Sequence, residues 1–220
     1  MENKLVLLDL WASPFAMRVR IALAEKGIKY ESKEENLSEK GPLLLEMNPV
    51  HKKVPVLIHN GKPICESLII VEYIDEVWHD KSTPLLPSDP YQRSQARFWA
   101  DYVETKVYGI GRKVWVVKGE DQEAAKKEFI EALKTMEVEL GDKHFFGGER
   151  IGFVDVVLVP ITSWFYTFET FVNFSIEAEC PKFIAWSKRC LEKESVVNSL
   201  PHPEKIYGYA LELEKKFGSA

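Results

Sequence analysis

In Leu5-Val6-Leu7-Leu8-Asp9-Leu10-Trp11-Ala12-Ser13-Pro14-Phe15, a nearly continuous apolar run gives way to a break, then to a serine followed by proline. A short apolar run bounded by turn residues predicts a buried strand. Residues 17–26 then read as a helix, and Ser at the N-cap with Pro at the first helical position marks its start. A strand therefore hands over to a helix at Ser13, beside backbone N–H groups that have no partner within the helix. Such a place favours an anion, because the dipole and the free donors act together. Taken alone, Ser13 reads first as the cap of its own helix and nothing more.

Outward from this stretch, Gly27 stands where a helix ends in the left-handed conformation. Residues 28–33 alternate and predict a second strand. Lys40-Gly41-Pro42 is a break, and 43–47 predicts a short helix closed by Asn48-Pro49. Residues 54–58 are strand-like, and Asn60-Gly61 with Lys62-Pro63-Ile64-Cys65 predicts a hairpin. Pro55 and Pro63 each lack a ladder donor, which puts them at strand starts or edges. Glu66-Ser67 opens a further helix with Ile70, Ile74, Val77 and Trp78 at helical spacing. A crossover followed by an antiparallel pair implies a small mixed sheet of four strands with helices on its faces, the thioredoxin-like order, over 1–79.

Residues 80–89, rich in proline, read as a linker to an all-helical domain spanning 90–220. Asp89-Pro90 repeats the cap-then-proline signal. Phe98, Trp99, Tyr102, Val103 and Val107 recur every three to four residues, as do Phe129, Leu133, Met136 and Leu140 before Gly141. Residues 154–168 are apolar on nearly all sides, as in a central bundle helix, and Pro160 predicts a bend or a freed carbonyl there. Pro181 opens another helix with Phe183, Ile184, Trp186 and Leu191.

A net charge of -5 without runs of like charge gives no electrostatic reason for nucleic-acid or anionic-membrane binding. Met1-Glu2-Asn3-Lys4 lacks the order of a secretory leader, and the longest apolar segment is too short to span a bilayer. Cys65, Cys180 and Cys190 are odd in number, with no C-x-x-C pair, and the histidines form no ligand cluster. The expectation is a cytoplasmic protein without bound metal.

The domain outline, with Ser13-Pro14-Phe15, Arg18-Val19-Arg20, His51-Lys52-Lys53-Val54-Pro55-Val56-Leu57, Glu66-Ser67, Phe98-Trp99-Ala100-Asp101-Tyr102 and Gly152-Phe153-Val154-Asp155, resembles the cytosolic glutathione transferases, and most closely the plant tau class. The resemblance covers essentially the whole chain. It implies that Ser13 gives a hydrogen bond to the thiol of glutathione, the co-substrate, and so stabilises its thiolate. It further implies that Glu66 pairs with the γ-glutamyl ammonium, Ser67 holds the adjoining carboxylate, and Lys40 and Lys53 meet the glycyl carboxylate. Val54 would bond the cysteinyl backbone across a cis Val54–Pro55 peptide. Each has a plainer reading: Glu66 and Ser67 as a first-turn acid and cap, the lysines as solvated charges, His51 as a loop histidine.

By the same resemblance, hydrophobic substrates would meet Phe15, Tyr108, Arg112, Trp115, Trp164 and Tyr209, although aromatics at helical spacing also serve as core. Asp155 reads as structural: Gly152 stands where the family has a capping hydroxyl, so only the carboxylate half of a reciprocal cap remains. The implied activity is conjugation of glutathione to hydrophobic electrophiles, with hydroperoxide reduction, in a homodimer. A carrier of small hydrophobic ligands is the alternative. A thiol transferase or dehydroascorbate reductase would need Cys where this chain has Ser13.

Overall fold

The computed structural model describes residues 4–217. Its chain divides into two compact units, Met1–Leu86 and Pro87–Ala220, so the division falls inside the proline-rich 80–89 stretch.

In the first unit the elements run β1 (Leu5–Asp9), α1 (Pro14–Glu25), β2 (Glu31–Glu34), α2 (Pro42–Met47), β3 (Val56–His59), β4 (Lys62–Cys65) and α3 (Ser67–Val77). The sheet order is β2-β1-β3-β4, with β1 parallel to β2 and antiparallel to β3. All five residues of β1 are buried, as expected of a central strand covered on both faces. Val6, Leu8, Val56 and Ile58 form one face with Leu44 of α2. Leu5, Leu7 and Leu57 alternate to the other face, the side of α1 and α3, which pack on each other. Fully burying each such side chain is worth about 1.5–3 kcal/mol.

Two strand boundaries differ from the sequence reading. The second strand is Glu31–Glu34 rather than 28–33; all four of its residues are exposed, so the alternation that predicts it does not fix its bounds. The third starts at Val56 rather than Val54, because Val54–Pro55 is a cis peptide leading into the strand. The hairpin turn is as expected, with φ +52° at Asn60 and +80° at Gly61. Val77 lies outside the core at 39% exposure, whereas Ile70, Ile74 and Trp78 are buried. Lys26, the last residue of the α1 region, makes a 2.8 Å ion pair with Asp75. Asp75 also accepts the backbone N–H groups of Leu85 and Leu86, at 2.8 and 3.0 Å. This fastens Leu85 and Leu86, within the 80–89 stretch, to α3.

The second unit is helical: α4 (Pro90–Tyr102), a π-helical segment (Val103–Tyr108), α5 (Gly109–Val116), α6 (Glu120–Leu140), α7 (Phe153–Leu158), a 3₁₀ segment (Val159–Trp164), α8 (Phe165–Val172), α9 (Ile176–Glu179), α10 (Pro181–Leu191), α11 (Glu194–Val197) and α12 (Pro203–Phe217). Asp89 caps α4, its carboxylate accepting Gln92 N–H at 2.9 Å. Phe129, Leu133, Met136 and Leu140 are buried as their spacing predicts, and Gly141 ends α6 at φ +56°. Phe98 departs from its stripe at 57% exposure.

Residues 154–168 are not one helix. Around Pro160 the backbone tightens to a 3₁₀ turn between α7 and α8. In 3₁₀ register the missing Pro160 N–H would have met Val157 C=O. The hydroxyl of Tyr108 donates to that carbonyl instead, at 3.2 Å. The break expected from Pro160 is therefore present, and a side chain from the π-helical segment donates to a carbonyl beside it. No helix among the described residues is long and apolar enough to cross a membrane.

Candidate active site

Ser13 sits in extended backbone between β1 and α1 and is buried. Its Oγ accepts Ala16 N–H at 3.3 Å, the N-cap bond that the sequence predicts. That bond occupies the oxygen as acceptor. Among the described residues no acceptor takes the hydroxyl proton, which stays available for donation at a helix N-terminus.

Strand register gathers the other predicted residues towards the same end of the sheet. Leu8 of β1 faces Val56, and Val56 faces Cys65. The end of β1, the start of β3 and the end of β4 therefore lie side by side. Ser13 follows the first, Val54-Pro55 precede the second and Glu66-Ser67 follow the third. The parallel pairing of Asp9 with Glu34 brings the end of β2 there too, ahead of the loop that carries Lys40.

Ser67 is the first residue of α3 and is buried. Its Oγ accepts Nη1 of Arg18, a fully buried guanidinium on α1, at 3.0 Å. The hydroxyl of Ser67 thus resembles that of Ser13: the oxygen is engaged and the proton is not held by any described acceptor. Glu66 occupies the cap position of α3 but makes no side-chain cap bond, so the plainer capping reading of this pair does not describe its geometry. At φ +70° and ψ 121°, Glu66 holds a sparsely populated conformation costing roughly 1–3 kcal/mol. Its carboxylate, about half exposed, lies 3.8 Å from His51 Nε2.

The loop before β3 is built by Asn48. Its side chain accepts His51 N–H at 3.1 Å and donates to Lys53 C=O at 3.0 Å, while its own C=O accepts Lys52 N–H at 2.8 Å. Val54 is half-buried, and Lys40 and Lys53 are exposed cations. The first unit thus gathers two buried hydroxyl donors, a carboxylate and the cation-bearing loops, a set matched to a ligand with anionic ends, an ammonium and a sulfur.

The predicted hydrophobic-substrate residues are divided. Phe15, half-buried in the first unit, lies beneath the Arg18 guanidinium, 5.0 Å from ring centroid to Cζ. In the second unit Tyr108 is buried with its hydroxyl on Val157, Arg112 is exposed, and Tyr209 is half-buried. Trp115, half-buried, stacks on Trp164 at 5.7 Å between ring centroids. Trp164 is 8% exposed and stacks also on Phe168, in keeping with a core position.

Asp155 is fully buried and takes four donors. Oδ1 accepts Phe146 N–H and Trp186 Nε1–H, and Oδ2 accepts Gly147 and Gly152 N–H, all at 2.8–2.9 Å. Burial pushes its carboxyl pKa up, against the lowering effect of these bonds. The carboxylate half of the cap is present and structural, as read from Gly152. Burial also raises the thiols, Cys180 to about 12, with Cys190 higher and Cys65 raised further by Glu66.

Sequence reasoning assigned no role to Arg18 and none to Asn48 beyond a helix stop. An arginine within the apolar Ala16–Leu23 run was the available signal for the first. No local signal distinguishes Asn48 from an ordinary helix stop. His51, read as a loop histidine, lies 3.8 Å from the Glu66 carboxylate.

Residues 3–76 match the model of the glutathione S-transferase N-terminal domain, and 88–194 that of its C-terminal domain. A probable glutathione S-transferase parA from Nicotiana tabacum is 72% identical over 219 residues, covering 100% of this chain and 99% of the relative. Glutathione S-transferase 3 of Glycine max is 60% identical, with 100% of each chain covered. Among solved structures, Rice GST1 in complex with glutathione is similar at TM-score 0.94 and 50% identity, with 99% of each chain covered. The tau-class enzyme of mango, Mangifera indica, is similar at TM-score 0.91 and 42% identity, with 96% of this chain and 98% of that one covered. With two family domains in order, full-length relatives and a matching fold, the chain belongs to the glutathione S-transferase family, in its tau class, and is a transferase with glutathione as co-substrate.

Proposed function

We propose that Ser13 donates a hydrogen bond to the sulfur of bound glutathione and holds it as the thiolate, which then attacks hydrophobic electrophiles. A donor to the charged form lowers the thiol pKa, and the N-terminus of α1 acts in the same sense. Ser13 keeps its proton throughout; the new bond forms between sulfur and the electrophilic carbon, and the displaced group leaves with the electron pair. The observation that carries this reading is the state of the hydroxyl: its oxygen is engaged by Ala16 N–H and its proton is uncommitted.

Ser67, with its oxygen engaged by Arg18, fits the γ-glutamyl carboxylate in the same way, and Glu66 fits the neighbouring ammonium. Lys40 and Lys53 would meet the glycyl carboxylate, and Val54 the cysteinyl backbone. The electrophile would meet Phe15, Arg112, Trp115, Trp164 and Tyr209. Tyr108 fits this set least, because its hydroxyl is committed to Val157. The same thiolate would reduce hydroperoxides: sulfur attacks the terminal oxygen, the O–O bond breaks and the alcohol leaves with a proton from solvent, and a second glutathione thiol turns the sulfenic acid into the disulfide and water. A thiol-transferase role is disfavoured, since that chemistry needs a cysteine where this chain has Ser13, and a serine forms no mixed disulfide.

Ser13→Ala tests the reading. Conjugation to a model electrophile should fall by about 10²-fold, the scale of losing one oxyanion-type donor, while glutathione binding by calorimetry persists. Turnover equal to wild type refutes it.

A cytoplasmic homodimer is proposed with it. Ile69, Val50, Phe98 and Tyr91 are large apolar side chains 57–80% exposed, in keeping with surfaces that a second copy covers. Light scattering that finds only monomer refutes the dimer.

A further inference from the structure

Strand β2 buries none of its four residues, so hydrophobic packing does not account for its place beside β1. Its side chains reach instead to the turn that precedes Ser13. Glu34 Oε1 accepts the backbone N–H of Trp11 at 2.9 Å. From the other side, Arg20 Nη2 donates to the C=O of Trp11 at 3.1 Å. Arg20 is held in turn by both oxygens of buried Asp9, at 2.7 and 2.8 Å, and Ser32 of β2 donates to Asp9 at 3.4 Å. Tyr30 completes the charged and titratable surroundings, its phenol raised by burial and by Asp9. The turn itself closes through Ser13 N–H on Leu10 C=O at 2.9 Å.

We propose that Glu34 and Arg20 are positioning residues for Ser13: they clamp both sides of Trp11 and so fix the turn Leu10–Ser13 that aims the serine hydroxyl. The inference rests on the reading of Ser13 as donor to the thiolate. Its physical basis is the length of the cap bond. At 3.3 Å, Ala16 N–H constrains the Ser13 oxygen weakly, and the preceding turn does the rest. A donor displaced by about 1 Å from the sulfur loses up to about 10²-fold in rate. A clamp released on one side should cost a fraction of that.

The test is Glu34→Ala beside Glu34→Gln, with glutathione and a model electrophile. Glu34 is exposed, so neither variant opens the core. Glu34→Ala should lower kcat about 5–10-fold with KM for glutathione unchanged. The acid limb of its kcat/KM profile should move to higher pH, reporting a less stabilised thiolate. Glu34→Gln keeps an acceptor oxygen and should restore most of the rate and the limb. Arg20→Lys, which retains the charge beside Asp9 but loses the fork to Trp11, should shift the limb in the same direction. A wild-type profile in Glu34→Ala overturns the inference. So does a loss carried by KM or by stability with the limb unmoved, since a merely structural role would give that. If Ser13→Ala is itself inert, the proposed function fails; if Ser13→Ala loses turnover and Glu34→Ala does not, only the clamp fails.

Discussion

Replacing Asp155 by Asn preserves shape and removes one acceptor from a site where four donors converge. If the amide oxygen stays with Phe146 N–H and Trp186 Nε1–H, the amide nitrogen then faces Gly147 and Gly152 N–H. Two buried donors lose their partner, at about 1–3 kcal/mol each. The two surviving bonds weaken from charge-assisted to neutral, roughly 0.5–1.5 kcal/mol each. Against this, the variant no longer buries a charge, a gain of several kcal/mol. The expected net destabilisation is about 3 kcal/mol, a large part of the roughly 5–15 kcal/mol available to a folded protein. Urea unfolding followed by tryptophan fluorescence measures it, with Trp186 reporting from the site. A loss below about 0.5 kcal/mol would show that the four contacts do not hold the loop to α7, and would refute the structural reading of Asp155.

Asp75→Asn should destabilise the first unit by about 3–5 kcal/mol, because Lys26 is left as a buried cation without its counter-charge and one of Leu85 and Leu86 N–H loses its acceptor. Protease cutting within 80–89 should rise in parallel, and unchanged urea midpoint and cutting rate would contradict it. Tyr108→Phe should cost about 1 kcal/mol by removing the hydrogen bond to Val157 C=O, with KM for the electrophile unmoved; the opposite result would make the hydroxyl a substrate contact. Native protein near pH 8 should react with a thiol reagent slowly at Cys65 and not at buried Cys180 or Cys190, as mass mapping would show. The raised Cys180 thiol also sets a sign: stability from this group is complete below about 9 and is lost as pH climbs towards about 12, because the unfolded chain releases its proton first. Cys180→Ser should therefore flatten the alkaline fall in Tm.

Much of the fold was legible because its signals are local. Ser13-Pro14, Asp89-Pro90, Asn60-Gly61, Gly27 and Gly141 each act through the backbone within a few residues, and each lies where its chemistry requires. The apolar run of β1 and the stripe of α6 report burial directly. Signals lost precision where tertiary contacts replace apolar patterning. Strand β2 is exposed throughout and is held by its ladder to β1 and by polar bonds to the turn after it. Phe98 and Val77 keep helical spacing yet point outward. The break at Pro160 was readable, but the hydrogen bond to Val157 beside it from Tyr108, in a π-helical segment 49 residues earlier in the chain, was not.

For the site, sequence by itself determined the residue types and the local devices: a serine at a helix start, a Val-Pro lead-in to a strand, a Glu-Ser pair after a hairpin, and the resemblance that joined them. What it could not determine was which atoms are already spent. Only the tertiary structure decides that Arg18 engages the oxygen of Ser67, that Glu66 leaves its carboxylate uncommitted to a cap, and that Tyr108 gives its hydroxyl to a carbonyl. It also decides that Glu34 and Arg20 converge on Trp11. The physical reason is reach. Caps, turns and strand patterns form between near neighbours, whereas the direction of a hydroxyl proton depends on partners that strand register and helix packing bring from far along the chain.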